Sequence, residues 1–437
     1  MLFGKAMRVC GIAGILALLA VPSYADSPAS SINGADTVWV LISTALVMLM
    51  TPGLGLFYGG MVRRKNVLAT ILQSFSMVGL IGMIWVLFGY SLAFGRDHWG
   101  LIGSLDWVGL KNVGLLPNPE YSATIPHQAF MIYQAMFAII TPALITGAFA
   151  ERMNFKAYMI FAGLWSVIVY CPVAHWVWAP GGWLKQMGAL DFAGGLVVHV
   201  SSGIAALCCA IVLGRRKGFG KEEFTPHNLT MTLVGTALLW FGWFGFNAGS
   251  SLAANGIAVS AFVATNTAGC AAAFVWIIME WMHLGRPTAL GAATGAVAGL
   301  AAVTPASGFI GPLGAMCIGI VVSVICYFAI TWKNKLHYDD SLDVFGVHGV
   351  GGMWGVLAVG IFASQAVNPS GANGLLAGNA SLIVKQLVGI LAIGGYSFVV
   401  TFILLKLTSL FGPLRISAED EETGLDLSQH GEIGYHF

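Results

Sequence analysis

The sequence predicts an all-α polytopic membrane protein with eleven transmembrane helices, arranged as a five-plus-five inverted repeat with an extra C-terminal helix. Of the 437 residues, 57% are hydrophobic and only 9% are charged, whereas soluble domains carry about 25% charged residues. The motif Val-His-x-x-x-Gly also occurs twice inside apolar, glycine-rich stretches, at His199 and His348. The sequence contains no basic patch interleaved with aromatic residues, so we expect no nucleic-acid partner.

Residues 1–25 have the pattern of a cleaved signal peptide. Lys5 and Arg8 supply a positive end, residues 10–21 form a short apolar core, and Ser23-Tyr24-Ala25 is a small-x-small cleavage site. The alternative is a first transmembrane helix, but the apolar core is shorter than the ~20 residues that a span needs. We therefore expect an exported N-terminus and a cell-envelope protein, most simply one of the bacterial inner membrane.

Hydropathy divides the rest of the chain into a transmembrane domain, 26–411, and a cytoplasmic tail, 412–437. The 18 lysine and arginine residues beyond the signal fall unevenly, 14 in one set of loops and 4 in the other. This positive-inside bias places the mature N-terminus outside and the tail inside. The predicted spans are 35–58, 68–95, 127–150, 156–178, 192–214, 228–248, 256–282, 288–304, 309–332, 344–363 and 382–410.

A faint internal repeat predicts the inverted arrangement. The sequence Thr-Gly-Ala-Phe-Ala ends the third span at 146–150, and Thr-Gly-Ala-Val-Ala lies in the eighth at 294–298. The two histidine motifs, in the fifth and tenth spans, are 149 residues apart. Because five spans separate each pair, the second copy is inserted upside down, as in transporters whose site lies at the repeat interface.

The two histidines are the first candidates for a functional site, because an ionisable group in hydrocarbon is costly. His199 lies eight residues into its span, about 12 Å deep, and His348 approaches the midplane from the other side. Together they indicate a path through the membrane. Either one alone could instead be a structural residue that bridges two helices. Zinc is not favoured, because no nearby cysteine or carboxylate completes a ligand set, and we expect no metal and no cofactor.

Aromatic residues predict a second part of the path. Tyr133, Trp178 and Ser250 are expected to form an outer cup, with Phe137 and Phe246 as an apolar plug beneath it. An aromatic cup suits a small cation, whereas a phenyl plug suits an uncharged species. The alternative places Trp178 in the interfacial aromatic belt and the phenylalanines in the core.

Two aspartates stand at the starts of the histidine-bearing spans. Asp191 precedes the fifth span, where a carboxylate accepts backbone N–H bonds. We interpret it as an organiser of the outer site rather than as a direct ligand. Asp343 is expected to have the mirror role at the inner end.

Taken together, six segments resemble the ammonium transporter family (the Amt/Mep/Rh superfamily, bacterial Amt branch) over essentially the whole mature chain. Each segment is weakly specific, and their number, order and spacing carry the resemblance. They are TPGLGLFYGGMVRRKN, GAFAERM, GALDFAGGLVVH, GWFGFNAGS, DVFGVHGVGG and GLDLSQHGEIGYHF.

The resemblance implies a homotrimer with a pore in each subunit, and not an enzyme. It assigns Trp178, Ser250 and Phe137, with Tyr133 nearby, to an external ammonium site, and Phe137 and Phe246 to a stacked gate. His199 and His348 correspond to the twin-histidine pair and Asp191 to the family's aspartate. Trp243 and Thr304 resemble pore-associated positions. A PII-type regulatory protein, usually GlnK, is the expected partner at the cytoplasmic face.

These features together predict a protein that binds ammonium, removes a proton and conducts ammonia across the inner membrane for nitrogen uptake. Potassium would be rejected because it has no proton to lose. Alternatives are an ammonium sensor that signals through a PII-type partner and a neutral channel for ammonia or carbon dioxide. An ion-driven carrier of another solute is not favoured, because it should show a midplane carboxylate, whereas the carboxylates here lie at the ends of spans. A hydrolase would need a nucleophile paired with a base, and Ser201 and Ser202 are poorly placed beside His199.

Overall fold

The computed structural model describes residues 32–333 and 335–436, so the predicted signal peptide lies outside the described residues. Within the described part, ten helices are long and apolar enough to cross a membrane, and an eleventh apolar helix is shorter. The predicted all-α membrane fold is therefore confirmed. The helices are α1 Gly34–Met61, α2 Arg64–Phe94, α3 His127–Phe149, α4 Phe155–Met187, α5 Gly195–Leu213, α6 Leu229–Ser251, α7 Gly256–Leu284, α8 Ala289–Val303, α9 Pro312–Lys333, α10 Phe345–Phe362 and α11 Ser381–Phe411.

Small elements connect and extend these helices. A two-stranded antiparallel hairpin, β1 Asp97–His98 and β2 Ile102–Gly103, lies between α2 and α3. Helix α4 is broken after Trp178, and its last turn is the separate piece Trp183–Met187. Two short helices, α12 Ala418–Thr423 and α13 Leu425–His430, follow α11.

Polar caps explain where several helices begin. The side chains of Asn228, Asn255 and Thr288 accept hydrogen bonds from backbone N–H groups three residues on, at 2.9, 3.0 and 2.9 Å respectively. Each cap satisfies an N–H group that has no partner inside its helix. Helices α6, α7 and α8 therefore start at positions that the local sequence specifies.

Helix α8 is shorter than the bilayer core and is enclosed by neighbouring helices. Its 15 residues extend about 22 Å, which is less than the ~30 Å hydrocarbon core. It packs against α6, α7, α9 and α10, and residues 293–303 are all buried. Other helices thus cover it where it would otherwise meet lipid.

The contact between α5 and α10 is reciprocal. A Cβ placed on Gly203 of α5 would lie 2.2 Å from the backbone nitrogen of Gly349 in α10, so no larger residue fits. In return, a Cβ on Gly352 would lie 3.3 Å from the backbone nitrogen of Val200. Gly352 is 149 residues after Gly203, and Gly349 is 149 after Val200. This exchange of equivalent contacts is the pattern that a pseudo-two-fold relation between the halves of an inverted repeat gives.

The tail packs back onto the helix bundle. The Asp426 carboxylate accepts hydrogen bonds from the backbone nitrogens of Leu68 (3.1 Å) and Ala69 (2.9 Å) in α2. Glu421 is buried and pairs with Arg415 at 2.6 Å, while Glu422 pairs with Lys217 at 2.8 Å. We call the end of the bundle that carries this tail the inner end, following the orientation predicted from loop charge.

Candidate functional site

Three cavities follow one another through the bundle. The outer vestibule has a volume of about 190 Å³. A histidine chamber and an inner chamber, each of about 10 Å³, lie further in and share His348 as a lining residue. A volume of 10 Å³ is about the least that holds one water-sized molecule. The path is therefore wide outside and only one small molecule wide at the histidines.

The vestibule brings together three of the predicted outer residues, Trp178, Ser250 and Phe137. The Trp178 and Phe137 rings meet edge to face, with centroids 5.7 Å apart. The indole N–H of Trp178 donates to the backbone oxygen of Asp191 at 3.1 Å. This hydrogen bond fixes the ring that the vestibule presents to a ligand.

Tyr133 is fully buried and is not among the described residues that line the vestibule, so it stands behind the wall. Its hydroxyl lies 2.8 Å from the Gly245 oxygen, 2.9 Å from the Phe246 oxygen and 3.2 Å from Ser250 Oγ. Ser250 in turn donates to the Phe246 oxygen at 2.9 Å. The hydroxyl protons of Tyr133 and Ser250 can both be donated to backbone carbonyl oxygens. The lone pairs of Ser250 Oγ therefore remain free to accept hydrogen bonds from a cation.

Gln134 is a vestibule residue that the sequence analysis missed. It lines the vestibule and is only 9% exposed, and its Oε1 is buried with no hydrogen-bond partner among the described residues. An unpaired buried acceptor is costly, so this oxygen suits a ligand that donates. A glutamine inside an apolar span was the available signal. The other lining residues that were missed are Phe94, Glu120, Tyr121, Phe130, Lys185, Phe192 and Leu252.

Phe137 and Phe246 separate the vestibule from the histidine chamber. Their ring centroids are 4.4 Å apart and each side chain is 1% exposed. Phe137 lines the vestibule and Phe246 lines the histidine chamber, so the pair forms the partition between the two cavities. The two residues predicted to form the plug are therefore in contact with each other.

His199 and His348 form a direct pair. Their Nδ1 atoms are 3.2 Å apart and the rings are nearly parallel, at 16°. One Nδ1 must carry the proton and the other must accept it, so the tautomers of the two rings are linked. His199 Nε2 is buried with no partner among the described residues. The pair can therefore exchange a proton through one N–H···N bond.

Trp243 packs against His199. Its indole ring is nearly parallel to the His199 ring, at 23° with centroids 5.6 Å apart. Its Nε1 donates to Thr304 Oγ1 at 2.9 Å. Thr304 is fully buried and acts through Trp243, since it is not among the described residues that line the chambers.

Asp191 organises the start of α5. Its carboxylate accepts four backbone N–H bonds, at 2.7 to 3.1 Å, from the consecutive residues 194–197. Gly194 has a φ of 119°, a conformation that suits glycine, and it turns the chain so that these nitrogens point at one carboxylate. Asp191 thereby fixes the segment that carries His199 and the carbonyl that holds Trp178.

The counterpart of Asp191 at the inner end is Asp340, and the prediction for Asp343 was wrong. Asp340 accepts from the backbone nitrogens of Val344 (3.1 Å) and Phe345 (2.7 Å), and it follows Asp191 by 149 residues. Asp343 instead forms an ion pair with Lys333. Proximity to the helix start favoured Asp343, but its backbone is left-handed, with a φ of 60°, whereas a capping residue is normally extended. Burial raises the pKa of Asp340 to about 6.

Buried ion pairs frame the inner end. Glu151 pairs with Arg63 at 2.9 Å and with Arg216 at 3.1 Å, and Asp339 pairs with Arg216 at 2.9 Å. Burial alone would raise the pKa of both carboxyl groups, but the guanidinium groups outweigh it and hold each pKa below its ordinary value. These contacts fasten the loops after α1, α3, α5 and α9 to one another. Among the described residues, no cluster of three histidine, cysteine or acidic residues could hold a metal ion.

A bundle of membrane-spanning helices with a graded path, from a polar vestibule through an apolar partition to paired histidines, defines a membrane channel or transporter for a small solute. The model of the Ammonium Transporter Family matches residues 38–435. The chain belongs to this family.

Relatives and solved structures agree with this assignment. An ammonium transporter of Bacillus subtilis is 54% identical over 401 residues, covering 92% of this chain and 98% of that protein. Ammonium transporter Amt1 of Archaeoglobus fulgidus is 48% identical, covering 92% of this chain and 100% of that protein. The crystal structure of Saccharomyces cerevisiae Mep2 superposes with a TM-score of 0.86 at 37% identity, covering 93% and 92% of the two chains. A structure described as a sensor Amt protein superposes with a TM-score of 0.84 at 28% identity, covering 91% and 98%.

Proposed function

We propose that this protein binds ammonium in its outer vestibule, removes a proton and conducts ammonia inward, while the twin histidines relay the proton. Nitrogen uptake across the bacterial inner membrane is the corresponding physiological role. The observation that carries the proposal is the order of the path. Cation-binding groups come first, an apolar partition comes second, and a proton-exchanging pair comes third.

The vestibule has the chemistry that a small donor cation needs. Trp178 and Phe137 offer aromatic faces, which attract cations, while Ser250 Oγ and Gln134 Oε1 offer acceptor oxygens. Ammonium has four N–H donors and can use both kinds of group. We assign recognition to these four residues, with Tyr133 and Asp191 as positioning residues.

The partition favours the neutral species. Phe137 and Phe246 give an ion nothing to replace its hydration shell, and moving an unpaired charge into such a region costs several kcal/mol. Ammonia carries no charge and loses far less. Potassium cannot become neutral by losing a proton, so it stays outside.

The histidines give the released proton a route. Imidazole exchanges protons near neutral pH and has two distinct nitrogens. A proton that enters at one ring and leaves at the other passes through the 3.2 Å Nδ1–Nδ1 contact. Net charge then crosses together with ammonia.

The proposed surroundings follow from the family and from charge. We propose a homotrimer with one pore per subunit, an outside N-terminus and a cytoplasmic tail that meets a PII-type regulator such as GlnK. The alternative role is an ammonium sensor that works through such a partner. Two observations support this sensor role. They are the likeness to the sensor Amt structure and the contacts of the tail with the inner end.

The test is to reconstitute the protein in liposomes and record current on a supported membrane after an ammonium pulse, with K⁺ as control. We expect a saturable current with ammonium and none with K⁺. Luminal alkalinisation without current would mean a neutral ammonia channel. Neither signal would shift the assignment to a sensor.

A further inference from the structure

Lys185 places a fixed cation in the wall of the outer vestibule. It lies on the short helical piece Trp183–Met187 that follows the break in α4. It lines the same cavity as Trp178, Phe137 and Ser250. Its ammonium group donates to the backbone oxygen of Trp178 at 2.8 Å. A tethered ammonium thus stands beside the residues that we assign to recognition of free ammonium.

The position of this lysine is built rather than accidental. Trp178 ends a helical segment, and a helix C-terminus carries partial negative charge that attracts cations. The short piece is itself held down, because Gln186 donates to the Pro180 oxygen at 2.6 Å and Gly188, with a φ of 87°, ends it. Leu190 and the buried Gln386 exchange two hydrogen bonds, at 2.8 and 2.7 Å. The short helical piece that bears Lys185 is therefore held in place at both ends.

Among the described residues that line the same cavity, one is acidic. Glu120, from the connection between α2 and α3, also lines the vestibule. Both residues line a vestibule of about 190 Å³, so an ammonium ion bound there shares one small cavity with both charges. At a separation of about 7 Å, two unit charges change an equilibrium about threefold at the dielectric constant of water and more near a protein surface.

We propose that Lys185 and Glu120 are opposing charges that set the affinity of the vestibule for ammonium. Lys185 weakens binding by repulsion and by occupying the Trp178 carbonyl, and Glu120 strengthens it. This inference rests on the proposed function. It adds the residues that determine the concentration range in which the protein works.

The test compares the ammonium concentration that half-saturates the full-length protein, measured in two ways. One is the liposome current, and the other is the ammonium-dependent thermal shift of the purified protein, which requires no transport. Lys185→Gln should lower the half-saturating ammonium concentration about three- to tenfold, and Lys185→Arg should keep the wild-type value. Glu120→Gln should raise half-saturation about threefold. Lys111→Gln is the matched control, since Lys111 lies in the same connection as Glu120 but is not among the described lining residues.

Salt provides a further check. Raising the ionic strength from 0.01 to 1 M shortens the Debye length from about 30 to about 3 Å, so the differences among variants should shrink. The proposal is overturned if Lys185→Gln stays within twofold of wild type, if arginine and glutamine at 185 act alike, or if Glu120→Gln shifts in the same direction as Lys185→Gln. If the variants shift ammonium binding as expected but wild type gives neither current nor luminal alkalinisation, this inference stands and the proposed transport is refuted.

Discussion

Replacing Phe246 by alanine would open the partition between the vestibule and the histidine chamber. The two phenyl centroids are 4.4 Å apart, and the chamber behind them holds about one water-sized molecule. Without the ring, water can connect the two cavities and a cation can keep part of its hydration shell. Recovering about 3 kcal/mol of a desolvation cost of several kcal/mol raises ion flux roughly 100-fold. We therefore expect Phe246→Ala to conduct K⁺.

The assay is the K⁺-evoked current in liposomes, recorded beside the ammonium current of the same preparation. Phe161→Ala is the matched control, because Phe161 is equally buried, at 1% exposure, but lies in α4 and is not among the described residues that line the path. Both substitutions should cost about 3–5 kcal/mol of stability, so only selectivity separates them. The reasoning is refuted if Phe246→Ala still rejects K⁺ while carrying ammonium, or if Phe161→Ala leaks equally.

Three further predictions concern the elements that hold the site. Asp191→Ala leaves four backbone N–H groups without their acceptor, so we expect a loss of more than about 3 kcal/mol and little folded protein by size-exclusion chromatography; a wild-type yield and melting temperature would contradict this. Gly203→Ala pushes a methyl group against the Gly349 backbone nitrogen, 2.2 Å away, which should lower the melting temperature and slow transport, and an unchanged variant would mean that the α5–α10 contact is loose. For Asp340, whose pKa is about 6 when folded and about 4 when unfolded, the folded state binds more protons between these values. Wild type should then lose up to about 3 kcal/mol relative to Asp340→Asn as pH rises from 4 to 7, and thermal unfolding at several pH values that showed a constant difference would contradict the shift.

The helical fold was predictable because hydrocarbon leaves the chain few choices. Backbone groups inside a bilayer must pair within the segment, so an apolar run of sufficient length becomes a helix. The same rule misplaced details at the helix ends. Helix α5 begins at Gly195 rather than at 192, and the carboxylate of Asp191 caps this start by accepting from the Gly195 backbone nitrogen.

The depth of the site was predictable from spacing, but its lateral contacts were not. Phe246 and Ser250 share a helix face, which gives their order along the path. The offset of 149 residues relates His199 to His348, and the same offset from Asp191 leads to Asp340, so the error at Asp343 could have been avoided. Glu120 belongs to a connection and Lys185 to the short helical piece Trp183–Met187, and the positions of both depend on long-range packing. Nothing in their local sequence indicates that they meet in one cavity.

The proton relay is the central claim, and the measurement that tests it most directly is the charge moved per ammonia delivered. It requires the ammonium-evoked current and the luminal pH to be recorded together in liposomes, for wild type and for the double variant His199→Leu, His348→Leu. Size-exclusion and melting profiles that match wild type establish that the variant is folded. We expect wild type to move charge with ammonia and the folded double variant to lose the current. A double variant that keeps the full electrogenic current would contradict the relay.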